Sequence, residues 1–144
     1  MTLVRVLIVD DSESWRRRIS TMLQQRPELQ VVGEASDGLE AIQKCEGLRP
    51  DLVLLDIGLP KLNGIEAACR ICAIVPGSTI LFVSENRCPT IVQEALRTAA
   101  CTRGYVLKSD VVDDLLPAVG AVMRQEQFIS GRFAVSNVSD SSDT

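Results

Sequence analysis

The chain has 144 residues, 46% of them hydrophobic, which suits one ordinary domain with a buried core. Its formal charge of -4 argues against a nucleic-acid surface on this segment, because phosphate binding needs clustered Lys and Arg. No histidine is present, which removes His-based metal centres, Ser–His and Cys–His nucleophile pairs and an imidazole phosphocarrier.

Leu3 to Val9 (L-V-R-V-L-I-V) is a β-branched apolar run that predicts a first strand, closed by Asp10-Asp11. Ser12 or Asp11 caps a helix to about Gln25, in which Trp15, Ile19, Met22 and Leu23 recur at helical spacing and Arg16, Arg17 and Arg18 form a solvated face. Pro27 stops it. Leu29 to Ala35 predicts a second strand, more polar and therefore nearer a sheet edge, and Gly38 to Gly47 a second helix with Leu39, Ile42 and Cys45. Leu52 to Leu55 is apolar without alternation, as in a strand buried on both faces of a parallel sheet, and it ends at Asp56. Ile57-Gly58-Leu59-Pro60 cannot extend it, because Pro60 lacks a ladder donor and biases Leu59 to an extended or turn conformation.

Asn63 caps a third helix through about Ala73, and Pro76-Gly77 marks its exit. Thr79 to Val83 predicts a fourth strand, ending at Ser84. A fourth helix follows Cys88-Pro89, with Ile91, Val92, Ala95, Leu96 and Ala99 on one face. Gly104 to Leu107 gives a fifth strand, closed by Lys108. The last helix runs from Ser109 or Asp110 to about Glu126, with Pro117 either in its first turn or at a kink. Residues 1–128 form the domain; 129–144, Ser/Asp-rich toward the end, are expected to be a flexible tail or linker with no DNA-binding domain.

This βα alternation predicts an α/β fold: a doubly wound, flavodoxin-like parallel sheet of five strands, order 2-1-3-4-5, with helices on both faces. That order sets the first and third strands side by side and brings Asp10, Asp11 and Asp56 to one crevice at the carboxyl edge, where ligands bind in open α/β sheets. The five cysteines (Cys45, Cys69, Cys72, Cys88, Cys101) are odd in number and lie in apolar or helical stretches. They are expected to stay unpaired, with Cys69-Arg-Ile-Cys72 packing in the core, as suits a cytoplasmic protein. The first strand meets two acids almost at once and no uncharged 18-residue apolar stretch follows, so neither signal peptide nor membrane span is expected.

Three carboxylates in one crevice repel one another unless a cation intervenes. All-oxygen ligation without histidine suits Mg²⁺, or Mn²⁺, better than a soft metal. Asp56 is then the candidate nucleophile of a phosphoryl transfer, since carboxylates form aspartyl phosphates. Lys108 can place a point charge on the phosphoryl oxygens and Ser84 a hydroxyl donor. Singly, each of these residues would be a turn cap, a solvated hydroxyl or a surface lysine; the ordered set at four strand ends is what carries chemistry.

Four motifs resemble the receiver domain of two-component response regulators, in the manner of the NarL/FixJ subfamily: V-L-I-V-D-D at 6–11, L-L-D-I-G-L-P-K-L-N-G at 54–64, F-V-S at 82–84 and G-Y-V-L-K-S at 104–109. The resemblance covers about residues 3–128. It implies a CheY-like fold in which Asp56 accepts a phosphoryl group from a sensor histidine kinase, with at most self-phosphorylating and self-dephosphorylating activity. It also implies Mg²⁺ held by Asp11, Asp56 and the backbone carbonyl of Gly58, with Asp10 acting through a metal-bound water. Ser84 and Tyr105 would form the switch pair, the ring turning inward, and remodel the surface of helix 4, strand 5 and helix 5, where a homodimer or an output domain would dock.

Two features depart from that pattern. The stretch Arg97 to Arg103 is about two residues longer than the usual connection before strand 5, and Glu85 follows the switch serine where a small residue is common. Gly58, without a side chain, leaves the acyl phosphate more open to water. Rival readings are weaker. A haloacid-dehalogenase-like phosphatase needs a second acid where Gly58 stands, and an FMN carrier needs a phosphate loop after strand 1, where this chain is acidic. A phosphorylation-independent interaction module is the remaining alternative, and the complete set Asp10, Asp11, Asp56, Ser84 and Lys108 counts against it.

Overall fold

The structure, a computed structural model, describes residues 2–130. In chain order the elements are β1 (Val4–Val9), α1 (Glu13–Leu23), β2 (Leu29–Ala35), α2 (Gly38–Leu48), β3 (Leu52–Leu55), α3 (Gly64–Ile74), β4 (Thr79–Ser84), α4 (Pro89–Thr98), β5 (Thr102–Leu107), a 3-10 turn (Lys108–Asp110), α5 (Val111–Met123) and β6 (Phe128–Ile129). The strands form one sheet of order β2-β1-β3-β4-β5-β6, parallel throughout.

Helix starts follow local chemistry. The Ser12 hydroxyl accepts from Trp15 N–H and the Asn63 amide oxygen from Glu66 N–H, each satisfying an orphan donor of the first turn. Asp37 does the same for α2 through Glu40 N–H. β3 and β4 are wholly buried, as central parallel strands should be, whereas β2 at the edge is largely half-buried. Side chains alternate between two cores. One lies under α2, α3 and α4 and includes Leu7, Leu55, Ile71, Phe82 and Tyr105; the other lies under α1 and α5 and includes Ile8, Ile19, Leu54, Leu81 and Leu115. Among the described residues no helix is long and apolar enough to cross a membrane.

Several expectations need correction. The sheet has six strands, not five: Phe128 pairs with Gly104 and Ile129 with Tyr105. Ser130 then donates its N–H to the Tyr105 carbonyl (2.9 Å) and accepts the Leu107 N–H on its hydroxyl (2.9 Å). The added strand satisfies β5 groups that an open edge would leave unpaired. Two residues are too few to show a period of two, so β6 has no sequence signature. The expected tail thus begins with a paired residue, Ile129, while 131–144 lie outside the described residues.

The lengthened stretch before strand 5 is absorbed in the sheet. α4 ends at Thr98, and β5 starts at Thr102, two residues earlier than the apolar run indicates. Ile80 pairs with Thr102 but Leu81 with Gly104, so Arg103 is a bulged extra residue. Pro117 sits inside α5, not in its first turn. The cysteines are not all free: Cys72 on α3 is joined to Cys101 in the α4–β5 connection, with Cα atoms 5.7 Å apart, leaving Cys45, Cys69 and Cys88 as thiols. The partners are 29 residues apart in sequence, and only the packed helices and strands bring them together. Finally, the Arg16–Arg18 run is split. Arg16 donates from Nε to Glu34 (2.9 Å) and from a terminal nitrogen to the Asp10 carbonyl (2.7 Å), while Arg17 and Arg18 are exposed.

Candidate functional site

Four strands end at one crevice. β1 delivers Asp10, which is 1% exposed, and then Asp11, which is exposed. β3 delivers Asp56, whose N–H continues the ladder to the Val9 carbonyl (3.1 Å) and so fixes the acid beside the end of β1. β4 delivers Ser84 and β5 delivers Lys108, both buried. The crevice is a cavity of about 460 Å³ lined by Asp11, Asp56, Gly58, Ser84, Glu85 and Lys108, among others.

Lys108 organises the interior. Its Nζ lies 2.7 Å from Asp10 Oδ2 and 3.0 Å from Asp56 Oδ2, and 4.9 Å from the centroid of the Trp15 ring. The other oxygens are held by backbone: Asp10 Oδ1 accepts from Ser12 N–H (2.9 Å) and Asp56 Oδ1 from Ile57 N–H (2.7 Å). Burial raises the Asp10 carboxyl above the ordinary aspartate value, only partly offset by its hydrogen bonds to Lys108 and Ser12. Burial works against the Lys108 ammonium, but hydrogen bonds to Asp10 and Asp56 outweigh it and hold the ammonium charged above the usual lysine range.

The turn after Asp56 is as constrained as the acid itself. Gly64 N–H returns to the Ile57 carbonyl (2.8 Å), and a Cβ on Gly64 would stand 2.0 Å from the Asp56 carbonyl oxygen. Only glycine lets α3 start this close to the back of the acid. Gly58 is the opposite case: a Cβ there meets nothing within 4 Å, so the space beside Asp56 is open.

Asp10, Asp11 and Asp56 each offer a carboxylate oxygen, all within 4.8 Å of one another. Three carboxylates against the single Lys108 ammonium leave a local charge of -2. An all-oxygen donor set with that charge fits a hard dication such as Mg²⁺, and among the described residues no other group of three acids or cysteines does so.

Asp10, Asp11, Asp56, Gly58, Ser84 and Lys108 thus meet at the crevice, while Tyr105 stands behind it in the core. Ser84 accepts from Asn86 N–H (3.2 Å). Tyr105 is fully buried and donates its hydroxyl to the Asn86 carbonyl (2.8 Å), so its ring already lies inward beneath the loop that carries Glu85 and Asn86. Burial pushes its phenol up to about 12. Two residues were not foreseen at the site. Trp15 packs against the core as its helix face predicts and in addition covers Lys108, while Arg16 was assigned to solvent and instead holds the Asp10 carbonyl. An indole one turn after an acid pair is the only signal that could have found the first; nothing distinguished Arg16 from its neighbours.

Known proteins resemble this chain in sequence and fold. The response regulator receiver domain family matches residues 6–120. The transcriptional regulatory protein LnrK of Bacillus subtilis (strain 168) is 34% identical over 120 residues, 83% of this chain and 54% of its own length. The chain spans about half the length of the curated relatives it matches. Among solved structures, a two-component response regulator of the LuxR family from Aurantimonas sp. SI85-9A1 superposes with a TM-score of 0.89 at 27% identity, over 96% of this chain and 98% of that one. The isolated receiver domain of RcsB from Salmonella enterica serovar Typhimurium, with a phosphomimetic, gives 0.85 at 25%, over 92% and 97%. Another RcsB structure contains two dimers bound to two parallel DNAs.

Proposed function

Since this chain belongs to the response regulator receiver domain family of two-component systems, we propose that Asp56 is its phosphoacceptor and that a sensor histidine kinase is the donor. The observation that carries this reading is the placement of Asp56, hydrogen-bonded at 3.0 Å to a buried lysine and open on one side to the crevice. An Asp56 oxygen attacks the phosphorus of a phosphohistidine; the new P–O bond forms as the P–N bond breaks, its electron pair leaving with the imidazole. Lys108 offers a charged donor to the transferred oxygens without having to move far, and Ser84 offers a hydroxyl from the next strand end. Asp11, Asp56 and the Gly58 carbonyl would hold Mg²⁺, or Mn²⁺, with Asp10 acting through water. Such an ion supplies positive charge where phosphoryl oxygens accumulate.

Phosphorylation adds roughly 1.5 to 2 negative charges and three strong acceptors. Once Lys108 and Ser84 turn to that group, Asn86 loses its acceptor on Ser84, and the loop above Tyr105 is free to rearrange. The consequence is a changed α4–β5–α5 surface, which serves a homodimer or an output domain; RcsB, a structural relative, forms dimers on DNA. The setting is cytoplasmic, where sensor kinases present their phosphohistidine. No direct nucleic-acid contact is assigned to this segment, whose formal charge is -4.

Intact-mass spectrometry after incubation with Mg²⁺ and acetyl phosphate tests the core of this reading. One phosphoryl adduct on the native chain, absent from Asp56→Asn and without Mg²⁺, is the expected result. No adduct, together with no binding of beryllofluoride, would establish the phosphorylation-independent interaction module instead.

A further inference from the structure

Outside the crevice, the chemistry-bearing group is sulfur. α3 carries Cys69 and Cys72 one turn apart, and both face the end of α4: the Cys69 thiol points to the Thr98 carbonyl (3.6 Å), and Cys72 is bonded to Cys101. Cys101 lies in the three-residue connection between α4 and β5, where its carbonyl also accepts the Ile80 N–H (2.9 Å). The two bonded sulfurs are not sealed in the core. Both residues are half-buried and line a surface cavity of about 320 Å³ together with Pro76, Gly77, Ser78 and Arg103.

We infer that Cys72 and Cys101 form a reversible thiol–disulfide modification site, whose co-reactants are small thiols and disulfides of the glutathione class and whose oxidised form clamps the end of α4 to α3. The balance is simple. Two cysteine thiols give up two protons and two electrons to one small disulfide, through a mixed-disulfide intermediate, and two small thiols are released; the reverse reaction consumes two small thiols. The remaining cysteines are built differently. Cys45 is buried and its thiol is pushed up to about 12 by that burial, so it is inert. Cys88 is exposed at the start of α4, its thiol lowered by the N–H groups of Ile91 and Thr90, and it has no bonded partner.

The clamp acts on the helix next to the loop that covers Tyr105, so the oxidised chain holds in place one element of the face assigned above to switching. The inference itself stands without that assignment, because its two readouts need no phosphoryl group. In the first, the folded 144-residue chain is equilibrated in glutathione buffers of graded redox poise, alkylated, digested and mass-mapped. Cys72 and Cys101 should lose alkylation together as the buffer becomes oxidising and regain it on return, and mass mapping should find them bonded to each other, whereas Cys88 loses label only by gaining one glutathione. Separate behaviour of the two, or a bond that opens only when the chain unfolds, would overturn reversibility. In the second, amide hydrogen exchange across 89–101 is compared in the oxidised chain, the reduced chain and Cys101→Ser. Reduction and substitution should each speed exchange there at least several-fold, with Cys69→Ser behaving as the native chain. Exchange unchanged by reduction would overturn the clamp.

Discussion

Replacing Lys108 by Met keeps most of the side-chain stem but removes the charge that joins Asp10 to Asp56. Both acids are nearly buried, with side-chain exposures of 2% and 10%. Removing one partner of a buried ion pair costs about 3–5 kcal/mol. Here the loss has a ceiling, because one carboxylate can take up a proton. Protonating an aspartate of ordinary pKa at pH 7 costs roughly 1.36 × (7 − 3.9), about 4 kcal/mol. Burial has already raised Asp10, so the true cost falls below that ceiling. The sign follows from proton counting. Between the unfolded and the further raised native pKa, the native variant holds one more proton than the unfolded chain, so its stability falls as pH rises, by up to about 1.4 kcal/mol per unit. Urea unfolding of both proteins between pH 5 and pH 7 should therefore show a deficit that widens with pH. Mg²⁺ at a hundred times its dissociation constant should return about 2.7 kcal/mol. A deficit below about 1 kcal/mol at pH 7, or one indifferent to pH, would refute the idea that Lys108 neutralises buried acids.

Four further outcomes are expected. Gly64→Ala places a methyl against the Asp56 backbone; it should cost roughly 1–3 kcal/mol in urea unfolding and slow acetyl phosphate labelling, and full retention of both would contradict the close approach. Gly58→Asn fits the open space beside Asp56 and should lengthen the lifetime of the phosphorylated chain in a hydrolysis time course, an unchanged rate showing that water reaches the phosphate elsewhere. The chain has one tyrosine, so tyrosinate absorbance reports Tyr105 alone. Because its pKa rises from 10 to about 12 on folding, the native state keeps a proton that the unfolded chain loses, and stability should be intact below pH 10 and decline as pH climbs toward 12; a normal titration midpoint would show the ring is not enclosed. Reducing Cys72–Cys101 opens a loop closed across 29 residues and should lower stability by about 3–4 kcal/mol on the chain-entropy account, measured as a urea midpoint shift with and without reductant.

What the sequence determined by itself was whatever rests on local rules. Apolar runs without alternation placed β3 and β4, Ser12 and Asn63 set helix starts, and a polar residue closing each of four strands located the crevice before any contact was known. The strand order followed as well, since right-handed crossovers leave few ways to stack βα units. The tertiary structure decided what depends on neighbours far along the chain. β6 exists because β5 offers it an edge, and Arg103 bulges because β4 and β5 must register from Leu81 onward. Trp15 meets Lys108, and Cys72 meets Cys101, only after α1, α3 and the α4–β5 connection have packed. Arg16 left the solvated face for the same reason: charge patterning along one helix is blind to the carbonyl that β1 presents across the gap. Local propensity is written in short stretches, whereas side-chain pairing across elements is fixed only by the shape they share.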